Sequence, residues 1–146
     1  MSEQQIIREV EHDSAGYWAT VALRDSILRK PLGLHFQAGE LQSEKDSRHI
    51  ACYSGGRLVG CLVLQPIAVS DVRMRQVAVA SELQGQGIGK ALVEYAEGLA
   101  RNAGYRRIVL HAREAAVTFY EKLGYLRMGE GFEEVMIPHW AMEKRL

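Results

Sequence analysis

The chain has 146 residues, of which 47% are hydrophobic and 25% charged, a size and composition typical of one globular domain with a substantial core. Lys and Arg together number 18, as do Asp and Glu, and this balance argues against a nucleic-acid or acidic-membrane partner. The sequence has neither a basic, apolar N-terminal signal nor an apolar run near 18 residues. We therefore expect a cytoplasmic protein forming one domain over residues 1–146.

The N-terminal third predicts a strand followed by a helix. Residues 4–10 can form a first strand, and the apolar spacing over 13–30 is helical, with Asp13 or Ser14 as the N-cap. Pro31 and Gly33 end that helix. An apolar loop follows up to residue 36.

A hairpin is predicted around the pair Gly55-Gly56, between strands 48–53 and 57–65. Both faces of these strands are apolar, so helices should cover the sheet on both sides. A two-residue loop would set Cys52 opposite Val59 and Cys61 opposite Ile50. The thiols would then share a face as diagonal neighbours about 7–8 Å apart, which is long for a disulfide. We expect two buried free cysteines, and no metal-ligand cluster is visible.

The second half alternates strands and helices. A strand over 69–80 leads through a glycine-rich loop into a helix over 87–103, and a strand over 106–111 leads into a short helix over 114–123. A final strand pair, 125–129 and 135–144, is interrupted by glycines and by Pro138. The predicted fold is α/β, with one mixed sheet flanked by helices and no internal repeat.

Three alternating glycines, Gly85, Gly87 and Gly89, start the second predicted helix beside Lys90. Glycine tolerates positive φ and close backbone approach, and the free N–H groups of a helix start attract anions such as a pyrophosphate. The alternative is a tight connection with small residues for packing. The G-x-G-x-G spacing does not fit a dinucleotide fingerprint, and a P-loop would need a Gly at Gln84 and a Ser or Thr at Ala91.

Two segments resemble motifs of the GNAT superfamily of N-acetyltransferases. Gln84-x-x-Gly87-x-Gly89 is similar to its Q/R-x-x-G-x-G/A acyl-CoA loop, and residues 116–125 (AVTFYEKLGY) are similar to its A-x-x-F-Y-x-K-x-G-F segment. The resemblance implies a GNAT fold and acetyl transfer from acetyl-CoA to a small-molecule or peptide amine, without a metal. A homodimer is plausible.

The same resemblance implies a set of cofactor contacts. The pantetheine arm would bind the backbone around Val77, Ala78 and Val79, where the sheet should splay open, with the Val77 N–H polarising the thioester carbonyl. The pyrophosphate would bind the N–H groups of Gln84, Gly85, Gln86, Gly87, Ile88, Gly89 and Lys90. Arg113, where the family often has Asn, could reach a CoA phosphate.

Phe119 and Tyr120 would pack beside pantetheine, and both are also plausible core aromatics. We favour Tyr120 as general acid to the departing CoA thiolate, since a phenol has a pKa of about 10.

The sequence departs from the family at the general base. Many members carry a Glu on the strand before the loop, whereas here that strand contains Arg73 and Arg75. Asp71, His111, Glu134, His139 or a water chain could replace it. The tail over 132–142 is similar to an F-x-E-x-G-I-P-H-x-x-M ending, with Met136 in place of Gly.

Two other functions stay open at this point. One is an acyl-CoA-binding sensor or regulatory module without turnover, for which the missing strand Glu is the best argument. The other is ATP binding by the loop from Gly85 to Lys90. The resemblance to the GNAT superfamily also implies that the acceptor binds beside the early helix and apolar loop, residues 18–36.

Overall fold

A computed structural model describes residues 4–146, so the first three residues of the predicted domain lie outside the described structure. Seven strands form one sheet in the order β1-β2-β3-β4-β5-β7-β6. The strands are β1 (Gln5–Val10), β2 (Arg48–Ser54), β3 (Arg57–Pro66), β4 (Asp71–Val79), β5 (Arg107–Arg113), β6 (Leu126–Glu134) and β7 (Ile137–Arg145). The helices are α1 (Ala15–Arg24), α2 (Ala38–Gln42), α3 (Ile88–Asn102) and α4 (Val117–Lys122). The mixed α/β sheet predicted from the sequence is confirmed.

The first predicted helix is interrupted. Of the two candidate N-caps it is Ser14 that caps α1, its hydroxyl accepting from the Tyr17 N–H at 3.1 Å. The α-helix ends at Arg24, and one π-helical turn (Asp25–Arg29) and one 3-10 turn (Lys30–Leu32) follow. Gly33, with φ of 70°, ends the segment as predicted. The predicted helical segment over 13–30 is confirmed, but its change from α to π and 3-10 geometry was not predicted, because apolar spacing alone does not reveal the extra residue of a π turn.

The hairpin turn is at Gly55-Gly56 as predicted, but the predicted cysteine register is wrong. A bulge beside Val59 shifts the pairing by one residue, so Cys52 lies opposite Gly60 and Cys61 opposite Ala51. Because a one-residue shift exchanges the two faces of a strand, the cysteines face opposite sides of the sheet. Cys52 joins the core under α3, and the Cys61 Sγ lies 3.8 Å from a carbonyl of α1. Both thiols are free and buried, as expected.

The main core lies between the sheet and α3. It includes Ile50, Leu62 and Leu64 from the hairpin and Leu92, Val93 and Ala96 from α3. A Cβ on Gly60 would lie 2.8 Å from Leu92 Cδ1, so helix and strand leave no room for a side chain there. Helix α1 packs on the opposite face, which confirms the predicted cover on both sides.

A buried polar cluster fixes α1 to the segment before β2. The guanidinium of Arg24, fully buried, binds both carboxylate oxygens of Glu44 at 2.8 and 2.9 Å. The Tyr17 hydroxyl donates to Glu44 Oε1 at 2.8 Å, and His49 Nε2 lies 2.9 Å from the Glu44 carbonyl. Burial lowers the pKa of His49. Burial alone would raise the pKa of Glu44, but the hydrogen bonds from Arg24 bring it below its ordinary value.

The sheet opens between β4 and β5. These strands pair in parallel through Asp71, Val72 and Arg73, and no further pairs between them occur in the described chain. A second bulge, in β4 opposite Leu62, places Gln76 at φ of 57°. The remainder of β4 therefore diverges from β5 and leaves a wedge in the middle of the sheet.

Candidate active site

A cavity of about 240 Å³ occupies this wedge. Its walls come from β4, β5, the π turn after α1, α4 and the β6–β7 hairpin. The predicted site residues Val77, Arg113 and Tyr120 line it together with His111, Glu134 and His139. The site therefore lies where two paired strands separate, and segments distant in sequence meet there.

Tyr120 reaches the cavity from α4, the short helix after β5. Its side chain is buried, and its ring meets those of Phe119 and Tyr125 edge to face, at centroid separations of 4.9 and 5.7 Å. Burial raises the pKa of the Tyr120 phenol well above its ordinary value, so the hydroxyl keeps its proton at neutral pH. Tyr120 is thus a member of both the core and the cavity wall.

The three glycines at the start of α3 are required for two different physical reasons. Gly85 and Gly87 have φ of 81° and 87°, and a Cβ on either would meet no atom within 4 Å. Gly89 has no such torsion, but its Cβ would lie 3.3 Å from the Phe119 ring. Two glycines therefore shape the loop and the third allows α4 to pack against α3, so both sequence interpretations apply to part of the loop.

The glycine loop directly continues the strand that borders the wedge. Gly87 is the N-cap of α3, and the exposed residues Gln84, Gln86 and Lys90 surround it. The Gln84 side chain donates to the Val79 carbonyl at 3.1 Å and closes the loop onto β4. The first-turn N–H groups of a helix this long have no intrahelical acceptors, which fits a pyrophosphate at this position.

The predicted backbone contacts on β4 fall at and beyond the second bulge. Val77 lines the cavity, while Ala78 is buried opposite Cys61 on β3. The carbonyl of Val79 already accepts the bond from Gln84, which leaves it one lone pair for another donor.

Three of the four candidate bases lie together. Glu134 bridges two imidazoles, with Oε1 3.1 Å from His111 Nδ1 and Oε2 3.6 Å from His139 Nε2. The Phe132 ring lies beside both, with centroids 5.0 Å from His111 and 6.0 Å from His139. His139 is buried, and its Nδ1 donates to the Ile137 carbonyl at 2.7 Å, which turns Nε2 toward Glu134.

Asp71, the fourth candidate, is held elsewhere. Arg107 binds both its carboxylate oxygens, at 2.7 and 3.2 Å, and this hydrogen bonding lowers the pKa of Asp71. Asp71 lies at the paired end of β4 and does not line the cavity. The geometry therefore favours an ion-pair role for Asp71.

Arg113 extends from the end of β5 towards α1. Its Nη2 donates to the Leu28 carbonyl in the π turn at 3.1 Å. Burial, followed by the nearby charge of Arg29, lowers the pKa of Arg113. This contact holds the wall of the cavity on the α1 side.

The β6–β7 hairpin carries Glu134 and His139 to the cavity. Residues 135–136 form its turn, with φ of 46° at Val135 and 64° at Met136, so the predicted second strand does not begin at 135. The family-like pattern has Gly at Met136, and the left-handed torsion is the physical reason for a Gly there. The predicted interruption at residues 129–131 is present as a bulge in the pairing with β7, but β6 continues through it to Glu134, so the predicted strand end at 129 was wrong.

Gln76 is the site feature that the sequence interpretation missed. Its positive φ turns the backbone where β4 borders the cavity, and its buried side-chain Oε1 has no hydrogen-bond partner among residues 4–146. Nothing about a Gln in an apolar strand signals a bulge. Only the pairing with β3 reveals it.

Comparison with known proteins identifies the family. The family model described as an acetyltransferase (GNAT) domain matches residues 34–146, and the chain belongs to this family. N-acetyltransferase 8 of Rattus norvegicus is 31% identical over 112 residues, which are 71% of this chain and 50% of that protein. The chain thus spans about half the length of the curated relatives it matches.

Solved structures share the fold. An acyl-CoA N-acyltransferase from Pseudomonas aeruginosa superposes with a TM-score of 0.82 at 23% identity, covering 97% of this chain and 99% of the other. A GNAT family acetyltransferase from Elizabethkingia anophelis with acetyl-CoA bound gives 0.77 at 17% identity, covering 97% of each chain. At these identities the likeness shows a common fold.

Residues 4–146 contain no group of three or more His, Cys, Asp or Glu side chains arranged to hold a metal ion. None of the helices within the same residues has the length and apolar character needed to cross a membrane.

Proposed function

We propose that the protein transfers the acetyl group of acetyl-CoA to a primary amine. The observation that carries the proposal is the wedge between β4 and β5, which Tyr120 lines and beyond which β4 leads into the glycine loop. Membership of the GNAT family supports it. So does the common fold with the Elizabethkingia anophelis protein, whose structure has acetyl-CoA bound.

The chain's own groups would hold acetyl-CoA along the wedge. The N–H groups of residues 84–90 would bind the pyrophosphate, and the backbone of residues 77–79 would bind the pantetheine arm. Phe119 would pack beside that arm, and Arg113 would contact a phosphate. Acetyl-CoA supplies an acetyl thioester, which a primary amine can attack at its carbonyl carbon.

Two groups would stabilise the charge that develops during transfer. The Val77 N–H would donate to the thioester oxygen, and a fixed backbone dipole of this kind needs little reorganisation. Tyr120 would give its proton to the sulfur that leaves. Because burial raises the pKa of this phenol, the proton is present on the hydroxyl when the sulfur departs.

The amine must lose a proton, and His111 with Glu134 would take it. The proton would lie between His111 Nδ1 and Glu134 Oε1, which are 3.1 Å apart. His139 would hold the other Glu134 oxygen, 3.6 Å from its Nε2. These three side chains would then replace the strand Glu that this sequence lacks.

The test is release of free CoA thiol from acetyl-CoA with a panel of primary amines, including amino acids, polyamines, aminoglycosides and short peptides. We expect amine-dependent thiol release and an acetylated product of the corresponding mass. The alternative, an acyl-CoA-binding module, predicts binding of acetyl-CoA with no thiol release for any amine. That second result would contradict the proposal.

A further inference from the structure

The cavity concentrates positive charge in a chain whose charges otherwise balance. Four arginines line it, Arg29 from the π turn, Arg73 and Arg75 from β4, and Arg113 from β5. Glu134 is the one carboxylate among the lining residues. Over the whole sequence the charges are 18 against 18, so the excess is a property of this site.

Most of these arginines have no carboxylate of their own. Arg29 pairs with Glu40 at 3.0 Å, but none of the ion pairs within residues 4–146 includes Arg73, Arg75 or Arg113. Within the described residues, the one hydrogen bond of the Arg75 side chain is a long contact of 3.5 Å with the Gln65 side chain. The Nη2 of Arg73 lies 2.7 Å from His111 Nδ1, whereas its Nε is buried and has no hydrogen-bond partner in that part of the chain.

The arrangement is electrostatically unfavourable without a further anion. Burial lowers the pKa of Arg73 and the charge of Arg75 lowers it further, while the charge of Glu134 offsets part of this shift. Like charges in a partly enclosed site repel each other more strongly than in water, because the local dielectric is lower. Such a site focuses a field that attracts an anionic group.

The charges of Arg73 and Arg75 lie away from the proposed pyrophosphate loop. Arg73 and Arg75 precede Val79 by six and four residues, at most roughly 20 and 13 Å at about 3.3 Å per residue of extended strand, since the bulge at Gln76 shortens the path. The glycine loop begins beyond Val79. The two arginines are therefore separated from the CoA phosphates and border the part of the wedge left for the acceptor.

The opposite charges of the site match a zwitterion. Glu134 would attract the ammonium form of an amine towards the His111–Glu134 pair, and the arginines would face a group of negative charge. A guanidinium binds a carboxylate through two parallel hydrogen bonds, which fixes orientation as well as charge. A volume of about 240 Å³, below the roughly 300–1,000 Å³ of pockets for drug-sized ligands, suits a small molecule.

We infer that the acceptor is a small primary amine carrying a carboxylate, of the amino-acid type, whose carboxylate binds Arg73 and Arg75. This inference rests on the proposed acetyl transfer and specifies its acceptor. The arginines would place the amino group between the acetyl donor and Glu134.

The first test compares acceptors on the unaltered protein. The free amino acids are ranked by kcat/KM for thiol release, and the best is compared with its own carboxamide and with the amine that lacks the carboxylate. We expect the carboxylate to raise kcat/KM at least tenfold over both. Equal rates for the three, or a higher kcat/KM for the N-terminus of a peptide, would overturn the inference while acetyl transfer stands.

The second test removes one guanidinium. Arg75→Gln should raise KM for the amino acid at least tenfold and leave KM for its amide and for acetyl-CoA unchanged. Arg101→Gln, on the exposed surface of α3, is the matched control and should change none of these values. A selective effect in Arg75→Gln supports carboxylate binding, and a uniform effect on all acceptors argues against it.

A binding measurement separates failure of the inference from failure of the proposed function. If no amine releases thiol, calorimetric titration of the amino acid and of its amide in the presence of CoA still tests the arginine site. Tighter binding of the amino acid, lost in Arg75→Gln, supports the site without turnover. Equal binding, or none, overturns the inference.

Discussion

Arg73 on β4 and His111 on β5 meet where the two strands separate, with the guanidinium Nη2 2.7 Å from the imidazole Nδ1. The same Nδ1 lies 3.1 Å from Glu134 Oε1. With a lone pair on Nδ1, the imidazole accepts from Arg73, and with a proton there it donates to Glu134. A proton arriving at His111 therefore exchanges one partner for the other, which is a suitable arrangement for a group that accepts a proton during turnover.

Removing the charge of Glu134 should reduce turnover. Glu134→Gln keeps the size of the side chain but cannot hold a proton on His111, so we expect kcat to fall about 10²-fold, within the usual range for general-base catalysis. Steady-state thiol release at saturating acetyl-CoA measures it.

The neighbouring glutamate provides the control for that change. Glu133, the residue before Glu134 in β6, is exposed, and its side chain points to the opposite face of the sheet. Glu133→Gln should keep the activity of the unaltered protein. Equal activity in both variants would exclude Glu134 from the proton transfer.

Loss of the Tyr120 hydroxyl should slow transfer without weakening cofactor binding. Tyr120→Phe retains the ring that packs against Phe119 and Tyr125, so the fold and the Kd of acetyl-CoA should be preserved. We expect kcat to fall about 10²-fold or more because the leaving sulfur loses its proton donor. Tyr95→Phe, at an exposed position of α3, is the control, and a Tyr120→Phe variant that matches it in kcat would rule out the general acid.

The features predicted from the sequence are those with local signals. The glycine loop and the segment around Tyr120 are each one continuous stretch of sequence. Within each stretch, the residues are close in space because they are close in sequence. The positive φ of Gly85 and Gly87 follows from residue type in the same way.

The features missed depend on how strands meet. The bulges beside Val59 and at Gln76 are set by the pairing of β3 with its neighbours, and the first one moved Cys52 and Cys61 to opposite faces. The sequence named His111, Glu134 and His139 only as alternatives. They form one cluster because β7, the last strand in the chain, lies between β5 and β6.

Substitution by alanine should change the stability of the protein in opposite directions at two glycines of α3. Gly87 has φ of 87°, so Gly87→Ala should destabilise the protein by about 1–2 kcal/mol through backbone strain. Gly98 lies inside α3 with open space around a Cβ, so Gly98→Ala should stabilise by roughly 0.5–1 kcal/mol.

Thermal or urea unfolding of the two variants measures the difference. Acetyl-CoA affinity should weaken in Gly87→Ala alone, since that change alters the loop. A stabilising effect of Gly87→Ala would contradict the left-handed torsion assigned to this position.

Stability should fall on mild acidification because of His49. Burial lowers its pKa in the folded protein, whereas the unfolded chain titrates near the ordinary value of about 6.5. Below about pH 6.5 the unfolded state binds more protons, so this stability is present above that pH and is lost as the pH falls toward the folded pKa, by up to about 1.4 kcal/mol per pH unit.

Melting temperatures between about pH 7.5 and 5 measure this contribution. His49→Gln should show a smaller decrease than the unaltered protein over that interval. His35→Gln, at an exposed position, should follow the unaltered protein. If all three curves are parallel, the buried His49 is not the source of the acid sensitivity.

The proposed function requires acetyl-CoA to bind in the wedge with its pyrophosphate on the glycine loop. The most direct measurement is the melting temperature with and without acetyl-CoA for the unaltered protein and for Gly87→Glu, which adds a side chain and a negative charge at the loop. Ligand at 100 times Kd should add about 2.7 kcal/mol, an increase of several degrees for a chain of this size. We expect this increase in the unaltered protein and its loss in a folded Gly87→Glu variant. No increase in the unaltered protein, or an equal increase in both, would contradict it.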